Sequence, residues 1–145
     1  MLATALFMSL FATGPVVMGH GSPFARVSLV QSQTDEKDSR TQAQKKIDSQ
    51  LLYAIYQLRG EAEAKGVPTE PIVLRKDSKD RVLVDIRSEV TRRLISHVKR
   101  SGGNIVSYSS RDHSLIAYVA LNQLEKIAEL NEVRFISQPS EAVTN

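Results

Sequence analysis

The chain has 145 residues, 41% hydrophobic and 24% charged, with 19 Lys and Arg against 16 Asp and Glu for a formal net charge of +3. Its length sets a prior of one domain, and the absence of cysteine excludes a disulfide framework and any thiolate metal centre. The basic excess is small and interspersed, so even the cluster Arg92, Arg93, Lys99 and Arg100 reads as a solvated helix face and not as a nucleic-acid footprint.

Residues 2–18, LATALFMSLFATGPVVM, are an apolar run interrupted at Gly14 and Pro15, and no charged side chain precedes Arg26. The run suits a signal-peptide core better than a membrane span, with Gly19 or Gly21 as the small residue at the cleavage point. Residues 1–21 are therefore expected to be a signal peptide, and the protein to be exported, secreted or in the cell envelope, with no stable membrane association after cleavage. No Lys or Arg precedes the run, whereas a positive leader normally fixes orientation; an uncleaved N-terminal anchor is the alternative. Residues 22–46 include the stretch QSQTDEKDSRTQAQKK, too poor in apolar side chains to offset its ordering entropy, and are expected to be a disordered linker.

In residues 47–60, Ile47, Leu51, Ile55 and Leu58 recur at helical spacing, widened by Leu52, Tyr53 and Tyr56. Asp48 or Ser49 offers the cap and Gly60 the stop. A helix this short does not persist alone in water, so its stripe is expected to lie on the sheet domain that follows. Residues 61–80, with Gly66, Pro68 and Pro71, read as a second linker in which Ile72, Val73 and Leu74 could add an edge strand.

Residues 81–138 switch their hydrophobic period from two to about 3.6 and back, twice. Val82, Val84 and Ile86 alternate with Leu83, Asp85 and Arg87 as a strand. Thr91 caps a helix with Leu94, Ile95 and Val98 on one face, stopped at Gly102 and Gly103. Residues 104–109 and 115–119 form a hairpin around a polar turn. Asn122 is placed to cap a second helix, with Leu124, Ile127, Ala128 and Leu130 inward, and residues 133–137 return as a strand that Pro139 ends. The expected class is α+β: a ferredoxin-like βαββαβ sandwich with two helices on one face of a four-stranded antiparallel sheet. Residues 139–145 are a tail.

That plan leaves one sheet face uncovered. If Val82, Val84 and Ile86 face the helices, the open face carries Leu83, Asp85 and Arg87, with either Tyr108 or the neighbouring serines, and either Tyr118 or Ala117. Apolar and aromatic groups among charges on an open sheet suit docking. Catalytic chemistry is harder to find. The chain has no GxSxG elbow, HExxH helix, GxxxxGK[ST] loop or GxGxxG turn, and its three histidines are scattered. No catalytic residue, metal ligand or cofactor is expected, and the chain reads as a non-enzyme. The third strand, SLIAYVAL, has one aromatic and no RNP1 glycine, which argues against RNA and nucleic acid generally.

The order of these elements, and the spacing of Leu121, Leu124, Ile127, Leu130, Val133, Ile136 and Glu141, make residues 81–145 resemble the N-terminal propeptide of subtilisin-like serine proteases, the inhibitor I9 type of domain. The resemblance implies an intramolecular chaperone and temporary inhibitor whose open sheet face lies on the protease and whose tail enters the substrate cleft. It places Leu83, Asp85, Tyr108 and Tyr118 on the partner-binding face. It places Gln138, Glu141, Val143, Thr144 and Asn145 in the partner-binding tail, with Glu141 at the acidic position that can cap helix N-termini of the enzyme. The catalytic domain of that family would begin near Asn145, so the expectation is a truncated precursor acting in cis or an inhibitor acting in trans. The competing expectation is a secreted interaction or structural module with no protease-related activity.

Overall fold

Alternating aliphatic residues in β1 (Val82–Ser88) build the centre of the sheet, because both of its neighbours pair with it antiparallel. The computed structural model describes residues 35–140. Its remaining elements are α1 (Gln42–Lys45), α2 (Ser49–Arg59), α3 (Arg92–Arg100), β2 (Asn104–Ser109), β3 (Ser114–Val119), a 3-10 turn (Leu121–Gln123), α4 (Leu124–Ala128) and β4 (Val133–Ser137). The strand order is β2-β3-β1-β4, all antiparallel, with α3 joining β1 to β2 and α4 joining β3 to β4. The chain is thus an α+β protein with one four-stranded antiparallel sheet.

Each helix owes its boundaries to local chemistry. The Thr91 side chain accepts from the Leu94 N–H, capping α3, and Asp48 does the same for α2 through the Gln50 N–H. Gly60, at φ +71, and Gly102, at φ +78, supply the left-handed turns that end α2 and α3. The second helix of the sheet unit differs from expectation. Asn122 does not cap it: the chain enters through a 3-10 turn with no side-chain cap, and α4 proper is only Leu124–Ala128.

Gly103 is needed for a different reason. A Cβ there would stand 2.7 Å from the Val98 carbonyl oxygen and 2.8 Å from Val98 Cγ1, where α3 turns into β2. Gly103→Ala is expected to cost about 1–3 kcal/mol, the usual cost of overpacking a fixed site. Urea unfolding measures it, and a loss within experimental error would show that the backbone yields there.

The core joins Val82, Val84, Ile86, Leu115, Ala117, Val119 and Ile136 from one sheet face to Leu94, Val98, Leu124 and Ile127 from α3 and α4. Helix α2 belongs to the same cluster through Leu51, Leu52, Ile55 and Tyr56, each 0 or 1% exposed. Leu58, expected in its stripe, is instead 60% exposed. Ile47 lies ahead of the helix, where the Asp48 N–H donates to the Ile136 carbonyl and the Ile136 N–H to the Lys46 carbonyl. That short parallel bridge covers the outer edge of β4.

Two stretches read as linkers depart from that description. The expected signal peptide, residues 1–21, and residues 22–34 of the expected linker lie outside the described residues, but residues 35–46 are largely helical. Polar pairing holds them where apolar burial could not. Glu36 is 3% exposed; its carboxylate accepts two 2.8 Å bonds from Arg40 and one of 3.2 Å from the Tyr56 hydroxyl. The Lys46 ammonium donates to the Ala128 and Leu130 carbonyls at the end of α4, and Gln44 donates to Glu125. Burial raises the Glu125 pKa, but bonds from Arg59 and Gln44 outweigh it and hold the carboxylate below its ordinary range. In residues 61–80, Ala62 and Val67 enter the core, and the Asp77 carboxylate accepts from the Lys79 and Arg81 N–H groups and the Arg81 guanidinium. Residues 72–74 form no edge strand.

Candidate docking face and tail

Register decides which side chains share the sheet face opposite the core. Leu83 pairs with Tyr118, Asp85 with Ile116 and Ser137, and Arg87 with Ser114 and Phe135. Partners across a ladder point the same way, so these residues occupy the face opposite Val82, Val84 and Ile86. On β3 the open parity resolves to Tyr118, with Ala117 in the core.

Tyr108 does not join them. It pairs with Leu115, whose side chain is fully buried, so it lies on the helix side of edge strand β2 and is 59% exposed there; Ser107 and Ser109 take the open-face positions instead. A bulge causes the difference. Ile105 opposes Ala117 and Ser107 opposes Ile116, which leaves Val106 as an extra residue and reverses the alternation beyond it. A second register shift lies in β4, where Phe135 opposes Arg87 and Val133 opposes Ser88, with Arg134 skipped. It lets Val133 and Ile136, three apart, both face the core while Phe135 turns outward.

The centre of the face is a compensated charge. Asp85 is 6% exposed; its Oδ1 accepts from Ser114 Oγ at 2.6 Å and its Oδ2 meets Arg87 Nε at 3.0 Å. Leu83 is nearly buried beside it, and Ile116, Tyr118 and Phe135 are partly exposed around it. Such a patch can lie against another protein without leaving the Asp85 charge unpaired. A shallow groove of about 440 Å³ runs over Asp85 and Arg87, bounded by the β2–β3 hairpin on one side and Pro139 and Ser140 on the other. Gln138 donates to the Gln50 side chain at 3.0 Å, so the tail leaves β4 between this face and α2. Glu141, Val143, Thr144 and Asn145 lie outside the described residues.

No family model matches the chain, and no curated protein or solved structure shows significant similarity to it.

Ile116, Ser114 and Phe135 are members of the face that sequence reading missed. Ile116 could have been found by counting two back from Tyr118, but Phe135 could not, because the bulge that turns it outward has no sequence signature. Among the described residues no group of three His, Asp or Glu side chains is placed to hold a metal ion, and no helix is long and apolar enough to cross a membrane.

Proposed function

We propose that the chain follows the ferredoxin-like βαββαβ plan and acts as a propeptide-like domain, a folding assistant or inhibitor of a subtilisin-like serine protease. The observation that carries this reading is the uncovered sheet face: Ile116, Tyr118 and Phe135 surround the paired Asp85 and Arg87, and β4 delivers the tail beside them. The alternation of β1-α3-β2 and β3-α4-β4 around strand order β2-β3-β1-β4 supports the plan. On this reading the chain is exported, has no catalytic group, cofactor or nucleic-acid partner of its own, and contributes surface complementarity and an extended tail. The tail adds a strand to the substrate-binding edge of the enzyme, and the apolar face supplies buried area.

The test is inhibition of a purified subtilisin-type protease by the full chain and by a chain lacking residues 138–145. Inhibition by the full chain that weakens about tenfold or more on trimming, ~1.4 kcal/mol or more, is the expected result. Equal inhibition by the trimmed chain removes the tail mechanism. No inhibition by either chain favours a secreted interaction module on the same fold.

A further inference from the structure

Between the turn after α2 and the start of β1, residues 68–76, PTEPIVLRK, run without helix or strand pairing until Lys76 bridges Val82. Pro68 and Pro71 fix φ and bias the residue before each toward extended backbone. Exposure alternates along Pro71, Ile72, Val73, Leu74 and Arg75, with Ile72 and Leu74 half-buried and the others outward. Leu74 packs on the core, while Val73 is 93% exposed, the highest of the exposed large apolar side chains. Both ends are held. Gln57 Nε2 donates to the Pro68 and Glu70 carbonyls at 2.7 and 2.8 Å, and the Arg75 carbonyl accepts from the Leu83 N–H at 2.8 Å. Among the described residues, the backbone groups of Ile72, Val73 and Leu74 have no hydrogen-bond partner.

We infer that residues 71–75 are a braced, substrate-like strand that a serine endoprotease with an aliphatic primary pocket engages, cutting between Val73 and Leu74. Such enzymes take their substrates as extended strands paired by backbone hydrogen bonds. The alternating exposure of residues 71–75 suits that form, with the N–H and C=O groups of Ile72, Val73 and Leu74 free. Val73 can enter a pocket without leaving any contact of its own. The following carbonyls are less available, since Arg75 is tied to β1. In the step itself the enzyme's serine oxygen bonds to the Val73 carbonyl carbon and the bond to the Leu74 nitrogen breaks. That nitrogen takes a proton, and water then releases the acyl group as a Val73 carboxylate. The fold outlasts the cut because Leu51, Leu52, Ile55 and Tyr56 on one side of it share one core with Val84, Ile86 and Ile127 on the other.

The inference rests on the propeptide reading only for the class of enzyme met in nature, and its test is separate. The full chain is treated with traces of a subtilisin-type and of an elastase-type serine protease, whose small pocket suits valine, and the products are weighed by mass spectrometry. Within residues 35–140 the first cut is expected between Val73 and Leu74 with both enzymes. The nicked chain is expected to elute as one species in native buffer and as two in denaturant. Val73→Asp should slow that cut on the order of tenfold to a hundredfold with no change in melting temperature. A first cut elsewhere in residues 35–140, an unchanged rate for Val73→Asp, or native separation of the halves overturns the inference. Inhibition without this cut would leave the propeptide role standing and remove the strand; the cut without inhibition does the reverse.

Discussion

A fragment of residues 81–138 is expected not to fold, although it contains all four strands of the sheet and both helices that connect them. Removing the preceding residues strips Leu51, Leu52, Ile55 and Tyr56 from the core, each of them 0 or 1% exposed. At about 2 kcal/mol for each fully buried side chain, the loss is about 8 kcal/mol, which matches the total stability of about 5–15 kcal/mol usual for a domain. It also uncovers the outer edge of β4 at Ile136. Circular dichroism and thermal melting of the fragment beside the full chain measure this. A cooperative melt from the fragment, at a temperature near that of the whole protein, would mean that α2 is an ornament and not part of the core.

Glu36→Ala is expected to cost about 3 kcal/mol, the range found when one partner of a buried ion pair is removed. The Glu36 side chain is fully buried and that of Arg40 is 9% exposed, so the substitution leaves a guanidinium held against Ser49 and the Tyr53 ring with its anion gone. Loss of the Tyr56 hydrogen bond adds to it. Urea unfolding gives the figure, and a cost below about 1 kcal/mol would place the pair among the weak surface bridges. The same cluster sets an alkaline limit. Burial, together with the neighbouring Glu36 carboxylate, pushes the Tyr56 phenol up to about 12. A raised acid favours the protonated fold, so this contribution is complete below pH of about 10 and is lost as pH climbs from there towards 12. Tyr56→Phe should flatten that alkaline decline; an unchanged decline would assign it to other groups.

How much of this was legible in the sequence depended on the kind of interaction involved. The strand β1 followed from alternation at Val82, Val84 and Ile86, and helices α2 and α3 from the caps at Asp48, Gly60 and Thr91, because those signals are local. Residues 35–46 were opaque because Glu36, Arg40, Gln44 and Lys46 look like solvated charges until Tyr56, Glu125 and the end of α4 are brought to them from 20 to 84 residues away. The docking face was half legible. Leu83 and Asp85 came from simple parity, but parity left Tyr118 or Ala117, and Tyr108 or its neighbouring serines, open. The register puts Tyr118 on the face and Tyr108 on the other side, and Phe135 was overlooked, the last two each for one extra residue in a strand. A bulge is set by how two strands meet, which neither strand records alone.

The bridge from Ile47 to Ile136 has a consequence for assembly. With β4 paired there only at Ile136, the outer side of β2 is the sheet edge along which no bridge is formed among the described residues. Sheets that present two open edges can add molecules at both ends and grow into fibres. Here the bridge at Ile136 interrupts one of those edges, which leaves β2 the freer side for addition. Two copies that met β2 to β2 about a twofold axis would use up each other's freer edge and leave only the interrupted β4 edges outermost.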